Sequence, residues 1–305
     1  FKGNYLINDL LIVGVGLVQA AITSILVIKP SLNQYVQSGV LRNSDAALSL
    51  VNKTHLDRGY GLGSQFGGSF PVTLGLCYSY MIERASQSWF SMACLLSGPL
   101  FLLSILYNAR LGLVPILGMG VVFILLSRRN SSKGVIGLVV IVSLCALLYI
   151  AAELNLYVLE VSIRDKFDWL VEAFFRAGFS SDGKMTYVDI LTSGWQFPGG
   201  AENVFGTGKS MFGALVGMGS DMGYGNYIYY GGFIFLILGP LCYLWLFLYP
   251  LVKCRVFSVR LVALVYLGVF LVVNFKGSAL LWPEYTKMTI LILLSSYFRI
   301  AQPRV

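Results

Sequence analysis

Long runs without a single Asp, Glu, Lys or Arg alternate with short charged islands along this chain. The runs cover 10–28, 69–82, 89–107, 111–127, 135–152, 227–252 and 261–275, and a shorter one covers 288–298. About 20 apolar residues carry a helix through a hydrocarbon core, and most of these runs approach that length. A buried core helix could account for one of them but not for seven in series. The pattern predicts an all-α polytopic membrane protein with about eight transmembrane helices. The last run is short, and Leu280 to Tyr285 would complete its crossing.

The islands between the runs set an orientation. With the amino terminus cytoplasmic, the inside connections 84–88, 128–134 and 253–260 and the tail after 298 hold Arg84, Arg128, Arg129, Lys133, Lys253, Arg255, Arg260, Arg299 and Arg304. The short outside connections hold only Arg110, Lys276 and Lys287. This is the Lys/Arg asymmetry of inserted helices. It leaves a first outer loop at 29–68 and a large outer loop at 153–226 within a single membrane domain spanning 1–305. No internal repeat is visible.

Composition agrees with the pattern. The chain is 57% hydrophobic and 12% charged, where a soluble domain carries roughly 25% charged residues. Its net charge of +8 follows from topology and is not a nucleic-acid signal, because the basic residues do not share one polar face. The five cysteines lie in or beside the predicted spans, so the outer loops have no disulfide framework. The first apolar run is too long for a signal peptide and lacks a small-residue cleavage site.

The outer loops carry the polar detail. Loop 29–68 ends in the run Arg58-Gly-Tyr-Gly-Leu-Gly-Ser-Gln-Phe-Gly-Gly. In the large loop, Ile163 to Gly178 places Phe167, Leu170, Val171, Phe174 and Phe175 on one helical face, which suits a helix lying in the interface plane. Ser180 to Gly225 is rich in glycine and amide residues and leads through Tyr224, Tyr227, Tyr229 and Tyr230 into the sixth span, an aromatic belt.

Candidate chemistry gathers at the outer mouths of the spans. Arg110 sits in the tight turn Asn108-Ala109-Arg110, on the side that disfavours positive charge. It either snorkels to headgroups or pairs with an anion, which a guanidinium does bidentately with phosphate. Arg58 precedes glycines that let backbone approach a ligand, or simply turn the chain. Arg164 flanks the interfacial segment, and Lys276 and Glu284 bracket the connection before the last span, as an ion pair or as site residues. Ser220 and Asp221 precede the sixth span; they cap the helix, or Asp221 serves as a carboxylate kept ionised by the helix dipole. His55, the only histidine, lies three residues before Arg58. Phe205-Gly-Thr-Gly-Lys-Ser imitates the end of a phosphate-binding loop, but the pattern needs glycine at 203, where Asn203 stands. No His/Cys/Asp spacing suggests a metal site.

From about residue 50 to its end the chain resembles the bacterial O-antigen and capsule repeat-unit polymerases of the Wzy type, relatives of the O-antigen ligases. The resemblance rests on the order of parts: Arg58 to Gly68, the basic hairpin Asn108-Ala-Arg110-Leu-Gly, the outer loop ending Phe205-Gly-Thr-Gly, then Ser220-Asp221-Met-Gly-Tyr and Gly231-Gly232. It implies a GT-C-like fold with further spans ahead of Phe1 and a hexosyltransferase active outside the bacterial inner membrane. The implied substrates are undecaprenyl-diphosphate-linked glycans, and neither cofactor nor metal is implied. Under it Asp221 is the general base, Arg58, Arg110, Arg164 and Lys276 bind the diphosphate, and His55, Ser220, Tyr224 and Glu284 are glycan-binding candidates. A chain-length regulator and a repeat-unit flippase are the implied partners. Ligases carry histidine where Ser220-Asp221 stands, which favours polymerase over ligase. A flippase for lipid-linked sugars is the reading from another class; midplane polar residues on broken helices would mark it, whereas here the unpaired charges gather at span mouths.

Overall fold

The computed structural model describes residues 5–36, 69–85, 97–108, 110–127, 157–158, 161–162, 197–209, 223–253, 257–276, 279–281 and 283–300. The fifth predicted span, the interfacial segment 163–178 and the glycine run after Arg58 lie outside them. Nine helices are described: α1 (Tyr5–Ile28), α2 (Pro30–Tyr35), α3 (Ser69–Ala85), α4 (Gly98–Asn108), α5 (Leu113–Ser127), α6 (Glu202–Phe205), α7 (Gly223–Lys253), α8 (Phe257–Lys276) and α9 (Pro283–Ile300). Single 3₁₀ turns occupy Arg110–Gly112 and Ala279–Leu281. The described strands are one antiparallel pair, β1 (Tyr157–Val158) and β2 (Val161–Ser162).

Proline marks the start of several helices. Pro71, Pro99, Pro115 and Pro283 stand within the first three residues of α3, α4, α5 and α9, where a missing N–H costs nothing because that donor has no intrahelical acceptor. Pro283 also sets the limit of the last helix. Of the stretch Leu280 to Tyr285 expected to lengthen the last span, Pro283 to Tyr285 belong to α9 and Leu280 to a separate 3₁₀ turn.

Among the described residues, two helices are long and apolar enough to cross a membrane: α1, over Ile7–Leu26, and α7. Shorter apolar segments occupy Leu113–Val122 in α5 and Arg260–Phe275 in α8. The chain divides into two compact units, one of Phe1–Trp169 with Leu294–Val305, the other of Leu170–Leu293.

In the first unit α1, α3, α4 and α5 pack through small and hydroxyl side chains, as helices do where apolar burial alone does not select a partner. At one end Ser104 donates to the Ala20 carbonyl (2.9 Å) and faces Ser24 (3.3 Å). There too Gly75 meets the Gly112 carbonyl so closely that a Cβ would lie 2.0 Å from its oxygen. At the other end Asp9, Tyr80, Arg84 and Ser295 form a buried cluster. Arg84 donates from Nε (2.9 Å) and Nη2 (2.5 Å) to Asp9 Oδ2. The Tyr80 hydroxyl donates to Asp9 Oδ1 and lies 2.9 Å from Ser295 Oγ. The beginning of α1, the end of α3 and the end of α9 therefore share one side, and the ends of α1 and α4 meet elsewhere.

Candidate functional site at a broken helix

In the second unit the site grows from a defect in α7. Gly232, tenth in this 31-residue helix, has φ 68 and ψ −169, a backbone region that side chains with a Cβ avoid. The helix therefore consists of a short segment, 223–231, and a longer one, 233–253, joined at a bend. At 1.5 Å per residue the longer segment reaches roughly 30 Å, about the thickness of a hydrocarbon core. The charge-free run predicts a sixth span beginning at 227; the break starts the longer helical segment after Gly232, with Pro240 and Pro250 inside it.

A bend in a helix releases carbonyls that need donors, and here the end of the large loop supplies them. Thr207 gives its N–H (2.9 Å) and its hydroxyl (3.0 Å) to the Tyr229 carbonyl. Gly208 gives its N–H to the Tyr230 carbonyl (2.9 Å). Two glycines make this approach possible. A Cβ on Gly206 (φ 76) would stand 2.3 Å from the Tyr230 oxygen, and one on Gly232 would stand 2.1 Å from the Val204 oxygen. The rest of the loop is braced locally: Asn203 Oδ1 accepts the Gly199 N–H (2.9 Å), and Lys209 donates its N–H to Thr207 Oγ1 (3.1 Å). The segment that imitates a phosphate-binding loop follows the four-residue helix α6, not a strand, and its glycines serve the dock.

A second clasp closes the same corner. The Tyr227 hydroxyl donates to Asn274 Oδ1 and accepts the Leu280 N–H (2.8 Å); Asn274 Oδ1 also takes the Ala279 N–H (3.1 Å). The turn between α8 and α9 is thus held by buried side chains from α7 and α8. Lys276 and Glu284, expected from the sequence either as an ion pair at this turn or as site residues, stand at the end of α8 and in the first turn of α9. Around the clasp the Tyr224 ring meets Phe275 edge-on (5.3 Å), and its hydroxyl donates to the Leu271 carbonyl (3.3 Å). Deeper in the unit Tyr243 stacks on Phe270 (4.4 Å).

The predicted site residues distribute as follows. Tyr224 lies in the first turn of α7 with its ring against Phe275, Lys276 closes α8, and Glu284 lies exposed in the first turn of α9. Arg110 opens the 3₁₀ turn between α4 and α5 in the first unit. His55, Arg58, Arg164, Ser220 and Asp221 lie outside the described residues. Among the described residues no three His, Cys, Asp or Glu side chains stand together as a metal site would need.

Sequence reasoning missed Asp9–Arg84 and Tyr227–Asn274. The first had a signal, since ionisable residues at the ends of two apolar runs tend to pair. Asn274 had only a weak one, a lone amide near the end of an apolar run. Comparison with known protein families, curated proteins and solved structures finds no match for this chain.

Proposed function

We propose that this chain is a multi-pass glycosyltransferase of the bacterial plasma membrane, with about eight spans and a GT-C-like arrangement. In this reading it polymerises undecaprenyl-diphosphate-linked oligosaccharide repeats on the extracytoplasmic side. One observation carries the reading. Phe205-Gly-Thr-Gly and Gly231-Gly232, two of the motifs behind the resemblance to repeat-unit polymerases, form a single backbone dock. The docked helix, α7, begins shortly after Ser220-Asp221 in the sequence and carries Tyr224 in its first turn.

The chemistry needs a base and an anion-binding surface. Asp221 takes the proton from a hydroxyl of the acceptor repeat as that oxygen attacks the anomeric carbon of the donor glycan. The bond from that carbon to the diphosphate breaks, and undecaprenyl diphosphate leaves with the bonding pair. Its charge is met by Arg58, Arg110, Arg164 and Lys276, which do the work a divalent ion does elsewhere. His55, Ser220, Tyr224 and Glu284 contact the sugars. A chain-length regulator and a repeat-unit flippase supply the cellular context. The position of the break favours this reading over a flippase: it leaves a full crossing on one side, whereas transporter helices break near the midplane.

Purified protein in detergent with lipid-linked repeats is expected to yield a ladder of glycans without ATP or divalent metal. Asp221→Asn is expected to abolish the ladder at unchanged expression. Arg110→Lys is expected to be nearly as damaging as Arg110→Ala, because an ammonium cannot make the bidentate contact. A ladder that collapses with chelator, or that survives Asp221→Asn, overturns the mechanism. Transfer of finished chains to a lipid core would indicate a ligase.

A further inference from the structure

The docked loop carries apolar side chains that stand exposed. Phe205 is 71% exposed and Phe197 53% exposed, with Val204 exposed between them. Flexible loops hide such groups by collapsing; this one is held to the carbonyls of Tyr229 and Tyr230 through Thr207 and Gly208. The Phe197 ring lies 5.9 Å from that of Phe233, the first residue past the helix break. Phe233 begins an exposed apolar row on α7 that continues through Ile237 and Leu241. The loop is thus the continuation of that row beyond the bend. The charged neighbours Glu202 and Lys209 are exposed and long enough to reach water from an interfacial position.

We infer that the segment from Phe197 to Phe205 is inserted in the membrane, with its phenylalanine rings among the acyl chains just below the headgroups. The occupant of this apolar surface is lipid and not a protein partner, because the surface is continuous with the face of α7 that a bilayer would cover. The inference rests on α7 crossing the membrane and is independent of the catalytic reading. It assigns the dock a physical role: Gly206 and Gly232 hold a wedge at fixed depth, as interfacial segments with aromatic faces require.

The test is photocrosslinking of the full chain reconstituted in phosphatidylcholine/phosphatidylglycerol vesicles. p-Benzoylphenylalanine replaces Phe197, Phe205 or, as the benchmark for full lipid exposure, Ile237, and adducts are read by mass spectrometry of the labelled peptides. Phospholipid adducts at 197 and 205 are expected within about threefold of the yield at 237, since all three sites would lie inside the acyl region. Adducts at 237 with none at 197 and 205 overturn the inference while leaving the span intact. Protein adducts at 205 overturn it in favour of a protein partner. Absence of lipid adducts at all three removes the span on which the inference stands. None of these outcomes depends on glycan synthesis, so an inactive preparation tests the wedge equally well.

Discussion

Replacing Arg84 by glutamine removes the guanidinium that donates twice to Asp9 Oδ2 inside the first unit. The two side chains are only 11% and 6% exposed, so water screens the loss poorly. Unit charges about 4 Å apart at an effective dielectric near 20 interact by about 4 kcal/mol. Removing one partner of a buried pair costs about 3–5 kcal/mol, because the other charge remains desolvated. Arg84→Gln and Asp9→Asn are each expected to lower stability by about 3 kcal/mol or more, a shift of over a hundredfold in the folded-to-unfolded ratio. The double variant removes both charges. It keeps amides that can hydrogen-bond to each other and to Tyr80, so it should lose only about 1–2 kcal/mol. The implied coupling is about 4–5 kcal/mol or more. Titration of the purified protein with SDS in mixed micelles, read by tryptophan fluorescence, measures all four corners of the cycle. Single variants within about 0.5 kcal/mol of the parent, or singles that simply add in the double, would refute the claim that this cluster ties α1 to α3.

The dock and the clasp give further expectations. Gly232→Ala and Gly206→Ala each add about 1–3 kcal/mol of backbone strain and push a methyl into a carbonyl. Limited proteolysis should therefore cut between 197 and 209 faster in both variants, and unchanged cleavage would mean that the loop does not depend on the glycines. Tyr227→Phe deprives the Leu280 N–H of its acceptor, at a cost of about 1–3 kcal/mol. Amide exchange at 279–281 should speed up by about tenfold or more as a result, with exchange in α1 unaffected. If the proposed chemistry also needs that corner, Tyr227→Phe slows glycan laddering in parallel with the exchange; full activity with fast exchange would separate the clasp from catalysis.

The two clusters differ in purpose. Asp9–Arg84 ties α1 to α3 with buried charge. Tyr227–Asn274 closes a turn with neutral groups, satisfying two backbone donors that the 3₁₀ geometry leaves over. Both use the same economy: a buried polar atom is given a partner from a distant element, and that need specifies which elements meet.

The charge-free runs marked α1 and α7, the two described helices long and apolar enough to cross a membrane, because the free energy of placing a segment in an apolar medium is a sum over neighbouring residues. The prolines in the first turns of α3, α4, α5 and α9 fit the same local logic, since a missing N–H acts locally. The glycines at 206, 231 and 232 and the aromatic Tyr224 and Tyr227 were visible as unusual residues, though not as partners. Only the tertiary structure joined Gly206 to Gly232, Tyr227 to Asn274, and Asp9 to Arg84 across 75 residues. Each of those contacts exists because one group's unsatisfied hydrogen bond or charge is met by another far away in sequence, and periodicity within a single helix says nothing about which helix will stand beside it.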